Sequence, residues 1–193
     1  MSPLVEDFTQ ALQLPKAAQQ TPTLGFFPGS TIGNFPPDEA IAFLRNALTL
    51  LGPRARLIVG ADLAKSPDVL LPAYDDAAGV TAAFNKNLLT RLNRELKANF
   101  DVEAFDHRAM WNSEHGRIEM HLVSRRRQTV EVGPYVVTFA EGETIHTENS
   151  YKHEPDALAD LVQQAGWEVE DIYLHQSPAF GILVLGGRDG LAG

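Results

Sequence analysis

Thr23-Leu24-Gly25-Phe26-Phe27-Pro28, followed at once by Gly29-Ser30-Thr31-Ile32-Gly33-Asn34-Phe35, decides how the fold is read. The first six residues form a short apolar run closed by Pro and Gly, the pattern of a strand buried on both faces. The next seven form a turn-rich loop. Pro36, Pro37 and Asp38 then introduce a helix whose apolar positions Ile41, Leu44, Ala47, Leu48 and Leu51 recur at helical spacing and stop at Gly52-Pro53. Arg56 to Gly60 is a second apolar run, closed by Ala61-Asp62. Strand, helix and strand joined by short links, with nearly continuous apolar strands, predict a parallel α/β sheet.

Upstream, Met1 to Gln20 is mixed and then polar, and reads as loop or a short turn of helix. Downstream, the character changes at Ser66-Pro67. Asp75 to Phe100 places Val80, Phe84, Leu88, Leu89, Leu92 and Leu96 on one side and predicts one or two helices. Val102 to Trp111, Arg117 to Ser124, Thr129 to Val132 and Tyr135 to Phe139 alternate apolar with polar between turn-formers, which predicts an antiparallel meander. From Pro155 the parallel pattern is expected to return, with a helix over Leu158 to Ala165 and closing strands at Trp167 to Leu174 and Phe180 to Leu185. The expected organisation is a sheet core over 1–64, an inserted antiparallel lobe over 65–153, and a closing helix and strands over 154–193.

The chain has 193 residues, one ordinary domain or a domain carrying a small lobe. Its 16 Lys and Arg against 25 Asp and Glu give a net charge of −9, which repels a phosphate backbone and argues against nucleic acid as a partner. Hydrophobic residues make up 44% and charged residues 21%, enough apolar content to bury a core. With no cysteine, disulfides, thiolate metal sites and a Cys nucleophile are excluded, and a reducing, cytoplasmic setting is the expectation. No leader and no apolar run of roughly 18 residues is present, so no membrane partner is expected.

Two stretches could carry chemistry. In open sheets, ligands sit beyond the carboxyl ends of strands, where glycines let backbone groups approach closely. Gly29 and Asn34 occupy such a place, and Asn34 offers both a donor and an acceptor. Turn chemistry alone accounts for the same residues. In Thr144-Ile145-His146-Thr147-Glu148-Asn149-Ser150-Tyr151, an extended backbone would put His146, Glu148 and Ser150 on one face, with a carboxylate and a hydroxyl able to grip two ring nitrogens. An exposed polar edge strand has the same pattern. His107, His115, His121, His146, His153 and His175 show no helical metal-ligand pair, so no metal is assigned. A G-x-S-x-G elbow and classical nucleotide fingerprints are absent, and Arg125 to Arg127 reads as a solvated turn.

Four strings together, Phe26 to Phe35, Tyr74 to Asn85, Arg117 to Leu122 and Glu143 to Lys152, resemble the histidine-specific, S-adenosylmethionine-dependent Nα-methyltransferases of ergothioneine biosynthesis. The resemblance runs from about residue 5 to 186, in order and spacing. It implies a Rossmann-like class I methyltransferase sheet with an inserted α+β substrate-binding lobe, and trimethylation of the L-histidine α-amine to hercynine. By that likeness Asp7 and Phe8 frame the adenine of S-adenosylmethionine, and Gly29 lies beside the reacting amine. Asn34 and Tyr74 hold the substrate carboxylate; Glu148 and Ser150 bond the imidazole nitrogens, and Met120 packs against the ring. A carboxylate suits a ring that donates protons, and a thioether fills an irregular wall. Phe8, Phe35 and Tyr74 offer faces to the donor sulfonium or the methylated product.

The same likeness implies strands upstream of Asp7, with a glycine turn and an acidic ribose clamp, that this sequence does not contain. The expectation is therefore a truncated enzyme with an incomplete donor site, not expected to catalyse alone, and a bared sheet edge that promotes homodimerisation. The alternatives are a non-catalytic binding or interaction module retaining the fold, and a methyltransferase for another amino acid such as tryptophan, against which Glu148 and Met120 argue.

Overall fold

The computed structural model describes residues 3–9, 12–15, 22–177 and 179–187. The expected loop over Met1 to Gln20 lies partly outside these residues. The chain forms two compact units, one of 1–64 with 151–193, the other of 65–150.

The first unit is built on a four-stranded sheet of β1 (Leu24–Phe27), β2 (Arg56–Asp62), β9 (Ala179–Gly187) and β8 (Trp167–Gln176), in the order β1-β2-β9-β8. Helices α1 (Pro37–Leu51) and α4 (Pro155–Gln164) belong to it. α1 starts where Pro37 pre-sets the helical φ and Asp38 and Glu39 face the positive end of the helix dipole; it ends where Gly52 takes a φ of 89°. Its Ala40 and Leu44 are fully buried, among Ile32, Leu57, Val59, Leu158, Val162, Trp167 and Leu185. Trp167 is also fully buried, and its indole N–H donates to the Leu44 carbonyl at 2.8 Å, so the largest side chain of this core leaves no polar atom unpaired.

Two expectations are corrected here. β1 pairs in parallel with β2, but it is not buried on both faces: Leu24 and Phe26 are 61% and 68% exposed. The reason is its place at the end of the strand order, where among the described residues nothing pairs with its outer edge. β9 is antiparallel to both β2 and β8, so the closing strands do not continue the parallel pattern. Only two residues separate β8 from β9, and so short a link can join strands only as a hairpin. The sheet is mixed.

The second unit contains α2 (Pro67–Tyr74), α3 (Val80–Leu96), β3 (Phe105–Asn112), β4 (Arg117–Ser124), β5 (Gln128–Val132), β6 (Tyr135–Phe139) and β7 (Thr144–Tyr151), the last ending at the unit boundary. The expected single meander is two sheets, β3-β4-β7 and the hairpin β5-β6. Val102 to Ala104, expected as strand, forms a 3₁₀ turn leading into β3. α2 is a helix the periodicity did not predict, because eight residues with Pro72 inside them give little pattern; Ser66 caps it by accepting from the Asp68 N–H at 3.3 Å. α3 begins under Asp76, whose carboxylate accepts from the N–H of Val80 at 3.1 Å and of Thr81 at 2.8 Å. Leu89 of α3 packs with Phe100, Phe105, Leu122, Val130 and Phe139, the core of this unit. Among the described residues no helix is long and apolar enough to cross a membrane.

Candidate functional site

In the sheet unit, the loop after β1 is shaped by its glycines. Gly29 has a φ of 69°, a conformation that costs a residue with a Cβ, and its carbonyl lies against β2 so closely that a Cβ on Gly60 would stand 2.5 Å from it. Thr31 to Asn34 form one 3₁₀ turn, and a Cβ on Gly33 would stand 2.8 Å from the Tyr151 carbonyl. The loop is tied to the carboxyl end of β2 by the Asp62 N–H, which donates to Ser30 Oγ at 2.9 Å. The Asp62 carboxylate in turn pairs with Lys152 Nζ at 3.1 Å, and the Lys152 side chain is completely buried. Gly29 and Asn34 are exposed at the outer end of this assembly, beyond the β2 carboxyl end where a ligand is expected in such sheets.

Asp7 and Phe8 belong to the same unit. Asp7 Oδ1 accepts from the Thr9 N–H at 2.9 Å and from its hydroxyl at 2.7 Å, and these bonds hold the carboxyl below its usual range. Phe8 meets Phe27 and Phe43 edge-on at 5.9 and 6.0 Å, while Phe35 stacks on Phe43 at 5.4 Å. A cavity of about 400 Å³ opens beside Phe8, lined also by Leu12, Leu14, Phe43 and Leu50. Nearby in sequence to Lys152, His153 is half-buried and its Nε2 has no partner; burial first, then the charge of Lys152, push its pKa below the ordinary histidine value.

In the 65–150 unit the structure brings Tyr74 and Ser150 together: their hydroxyls are hydrogen-bonded at 2.8 Å, although the resemblance assigned one to a carboxylate and the other to a ring. Behind Tyr74 lies a buried relay. His107 Nε2–H donates to the Tyr74 carbonyl at 2.8 Å, which leaves Nδ1 as an acceptor for the Asn85 amide at 3.0 Å. The His107 side chain is only 1% exposed, and Asn85 also donates toward the His121 carbonyl at 3.3 Å. The last residue of α2 is thus fixed from β3 and α3. Composition and spacing did not single out His107 or Asn85, because a lone His in an alternating strand carries no signal of its partners.

Met120 is buried, in register with Ala109 of β3, and alternation sets it on the face of β4 opposite Glu119 and His121. Its carbonyl accepts from the Thr147 hydroxyl at 2.9 Å. Glu148 is half-buried on β7, and its carbonyl accepts from His146 Nε2 at 3.2 Å. On the other face of β4, Glu119 is buried. Burial raises its pKa, but bonds from Arg117, Asn112 and His121 and the charge of Arg117 outweigh that and hold it at about 2.

A family model described as the SAM-dependent histidine-specific methyltransferases matches residues 1–186. The chain is 48% identical over 142 residues to the histidine N-alpha-methyltransferase of Mycolicibacterium smegmatis, covering 72% of this chain and 44% of that one. It is 44% identical over 163 residues to the enzyme of the same name from Mycobacterium tuberculosis, covering 83% and 50%. With the ergothioneine biosynthesis protein 1 of Schizosaccharomyces pombe it shares 25% over 75% of this chain and 19% of the relative. The chain spans about half the length of the two bacterial relatives it matches. With a family match over nearly its whole length, a mixed α/β core and the glycine-shaped loop at the end of its first strand, the chain belongs to the SAM-dependent, histidine-specific methyltransferase family.

Proposed function

We propose that this chain carries the amino-acid-binding part of an enzyme that methylates the α-amine of L-histidine. The observation that carries the reading is the Tyr74–Ser150 hydrogen bond: two residues 76 apart, each on a string typical of the family, present their hydroxyls at one place on a buried support. Ser150 and Glu148 bond the imidazole nitrogens; Met120, set by alternation on the face of β4 opposite the His121 that stacks on His146, is given to the ring by the family likeness alone. Within the 65–150 unit Tyr74 holds the substrate carboxylate; in the sheet unit, Asn34 and the Gly29 backbone are the residues the family likeness gives to the substrate's carboxylate and amine. The 65–153 lobe, inserted in sequence after segment 1–64 and before segment 154–193, is the substrate-binding part.

S-adenosylmethionine would supply an activated methyl group. Its adenine is flat and aromatic, and Phe8 with the cavity beside it and the neighbouring Asp7 fits that end of the molecule. The chain's own contribution is placement. A nucleophilic amine must be uncharged and aimed at the methyl carbon, and alignment of that kind supplies roughly 7 to 11 kcal/mol of a bimolecular barrier. A rigid Gly29 loop, pinned through Ser30 and the Asp62–Lys152 pair, suits this task. The exposed edge and apolar side chains of β1 support self-association, and light scattering showing a monomer at high concentration would remove that part of the proposal.

The test is calorimetric titration of L-histidine into the chain. Saturable binding that Glu148→Ala weakens at least tenfold is expected, since an unpaired imidazole nitrogen and the lost charge-assisted bond cost about 1.5–3 kcal/mol. Equal binding by both proteins overturns the assignment of the ring site, and binding of L-tryptophan in preference to L-histidine overturns the substrate.

A further inference from the structure

On the face of β4 away from Met120, Glu119 and His121 stand two residues apart, and His146 of β7 reaches them from the adjacent strand. One carboxylate oxygen and one nitrogen from each imidazole lie within 4.8 Å of one another. The rings of His121 and His146 stack at 4.6 Å with 19° between their planes, and His121 Nε2 is 3.1 Å from Glu119 Oε2. Glu119 and His121 are buried, and His146 is the exposed member.

Two of the three donors, Glu119 and His146, are aimed by a second group. Glu119 Oε1 accepts from Asn112 Nδ2 at 2.8 Å and from Arg117 at 2.8 and 2.7 Å, which fixes the carboxylate and leaves Oε2 facing the imidazoles. His146 Nε2–H donates to the Glu148 carbonyl at 3.2 Å, so its Nδ1 carries the free lone pair. A ring N–H anchored on a backbone carbonyl is the arrangement metal-binding histidines adopt. His121 Nδ1 is buried without a partner. The cluster is therefore not a closed hydrogen-bond network, in which every buried polar atom would be satisfied.

We infer that Glu119, His121 and His146 form a binding site for a first-row divalent transition metal of the zinc class. Two imidazoles and a carboxylate are a donor set suited to zinc, cobalt and nickel rather than to calcium or magnesium, and three protein ligands leave a fourth position for water. Donors on a tetrahedral zinc, each at about 2.0–2.2 Å from the ion, stand closer together than 4.8 Å, so a modest turn of the exposed His146 ring closes the set. The charges that oppose a cation are Arg117, already engaged by Glu119, and Arg108, the β3 residue in register with His121. The site would tie β7 to β4 in the strand that also carries Glu148 and Ser150. It stands independently of the substrate proposed above. The helical spacings H-x-x-x-H and H-E-x-x-H do not reveal it, because its donors come from period-two positions on one strand and from a neighbouring strand.

The experiment uses the whole chain, without a histidine tag and stripped by chelator, titrated with Zn²⁺ by calorimetry and with Co²⁺ by visible absorption. One equivalent of Zn²⁺ and tetrahedral ligand-field bands with Co²⁺ are expected. His146→Ala, an exposed position, should weaken binding at least tenfold, and His115→Ala, on the exposed turn between β3 and β4, should leave it unchanged. Zn²⁺ should also raise the melting temperature of the wild type and not that of His146→Ala, which shows that the variant is folded and blind to the ion. Absence of saturable binding, equal affinity in His146→Ala, or loss of binding in His115→Ala would each overturn the inference.

Discussion

Around Trp167 the sheet unit buries Ile32, Leu44, Val59, Leu158 and Leu185, and its buried charged side chain among the described residues is Lys152, paired with Asp62. The 65–150 unit buries Asn85, Glu119, His121, Ser124 and Ser150, most of them on β4 or facing it. One unit is held mainly by apolar packing, with glycines where backbone meets backbone. The other places polar groups in its interior and bonds most of them to one another, leaving His121 Nδ1 without a partner, an arrangement that costs stability if any member is lost. The proposed ring site and the proposed metal site both lie in the second unit. Departures from the local rules of core composition mark function.

The contrast can be broken at Lys152, the buried charged side chain of the sheet unit among the described residues. Lys152→Ala leaves the Asp62 carboxylate without its buried partner, and a loss of about 3–5 kcal/mol is expected by denaturant titration. Lys152→Met combined with Asp62→Leu should recover most of it; failure to recover would show that the pair does more than satisfy itself. Gly60→Ala, which forces a Cβ against the Gly29 carbonyl, is expected to cost about 1–3 kcal/mol through displacement of the loop.

In the polar unit, His107→Leu removes the donor to Tyr74 and the acceptor for Asn85, with an expected loss of about 1–3 kcal/mol. His107→Gln, which retains a donor and an acceptor, should recover part of it. Titration with L-histidine separates positioning from mere stability: His107→Leu should weaken binding at a temperature where the variant is still folded. The smallest effect distinguishes the units by pH. His153 has a lowered pKa, so the unfolded chain binds the proton more readily; its contribution is full above about 6.5 and is lost as pH falls through the folded value. Glu119, at about 2, contributes above the ordinary value of 4.5 and loses its contribution as pH falls toward 2. Denaturant midpoints followed from pH 8 to 3 should show the first loss disappear in His153→Gln and the second, more acidic loss disappear in Glu119→Gln.

Helical spacing reveals α1, α3 and α4, and apolar runs or alternation reveal the strands among the described residues other than β7, which the sequence offered only as a conditional extended stretch. Strand direction was not legible: β9 reads as an apolar run whether its neighbour is parallel or antiparallel, and only the two-residue link after β8 settles it. The exposure of β1 was hidden for the same reason, since pattern shows what a residue is and not what lies beside it. Of the site, Tyr74 and Ser150 were named through the family strings, whereas their mutual hydrogen bond depends on a contact across 76 residues. His107, Asn85 and the Glu119, His121 and His146 group escaped notice because each is an ordinary polar residue until the strands align.

The most direct test is an amide-resolved NMR titration of the chain with L-histidine. Saturable shifts concentrated at Tyr74, Glu148, Ser150 and their neighbours, absent with L-tryptophan at the same concentrations, are the expected result. Shifts confined to residues remote from these, or none at saturating amino acid, would contradict the account.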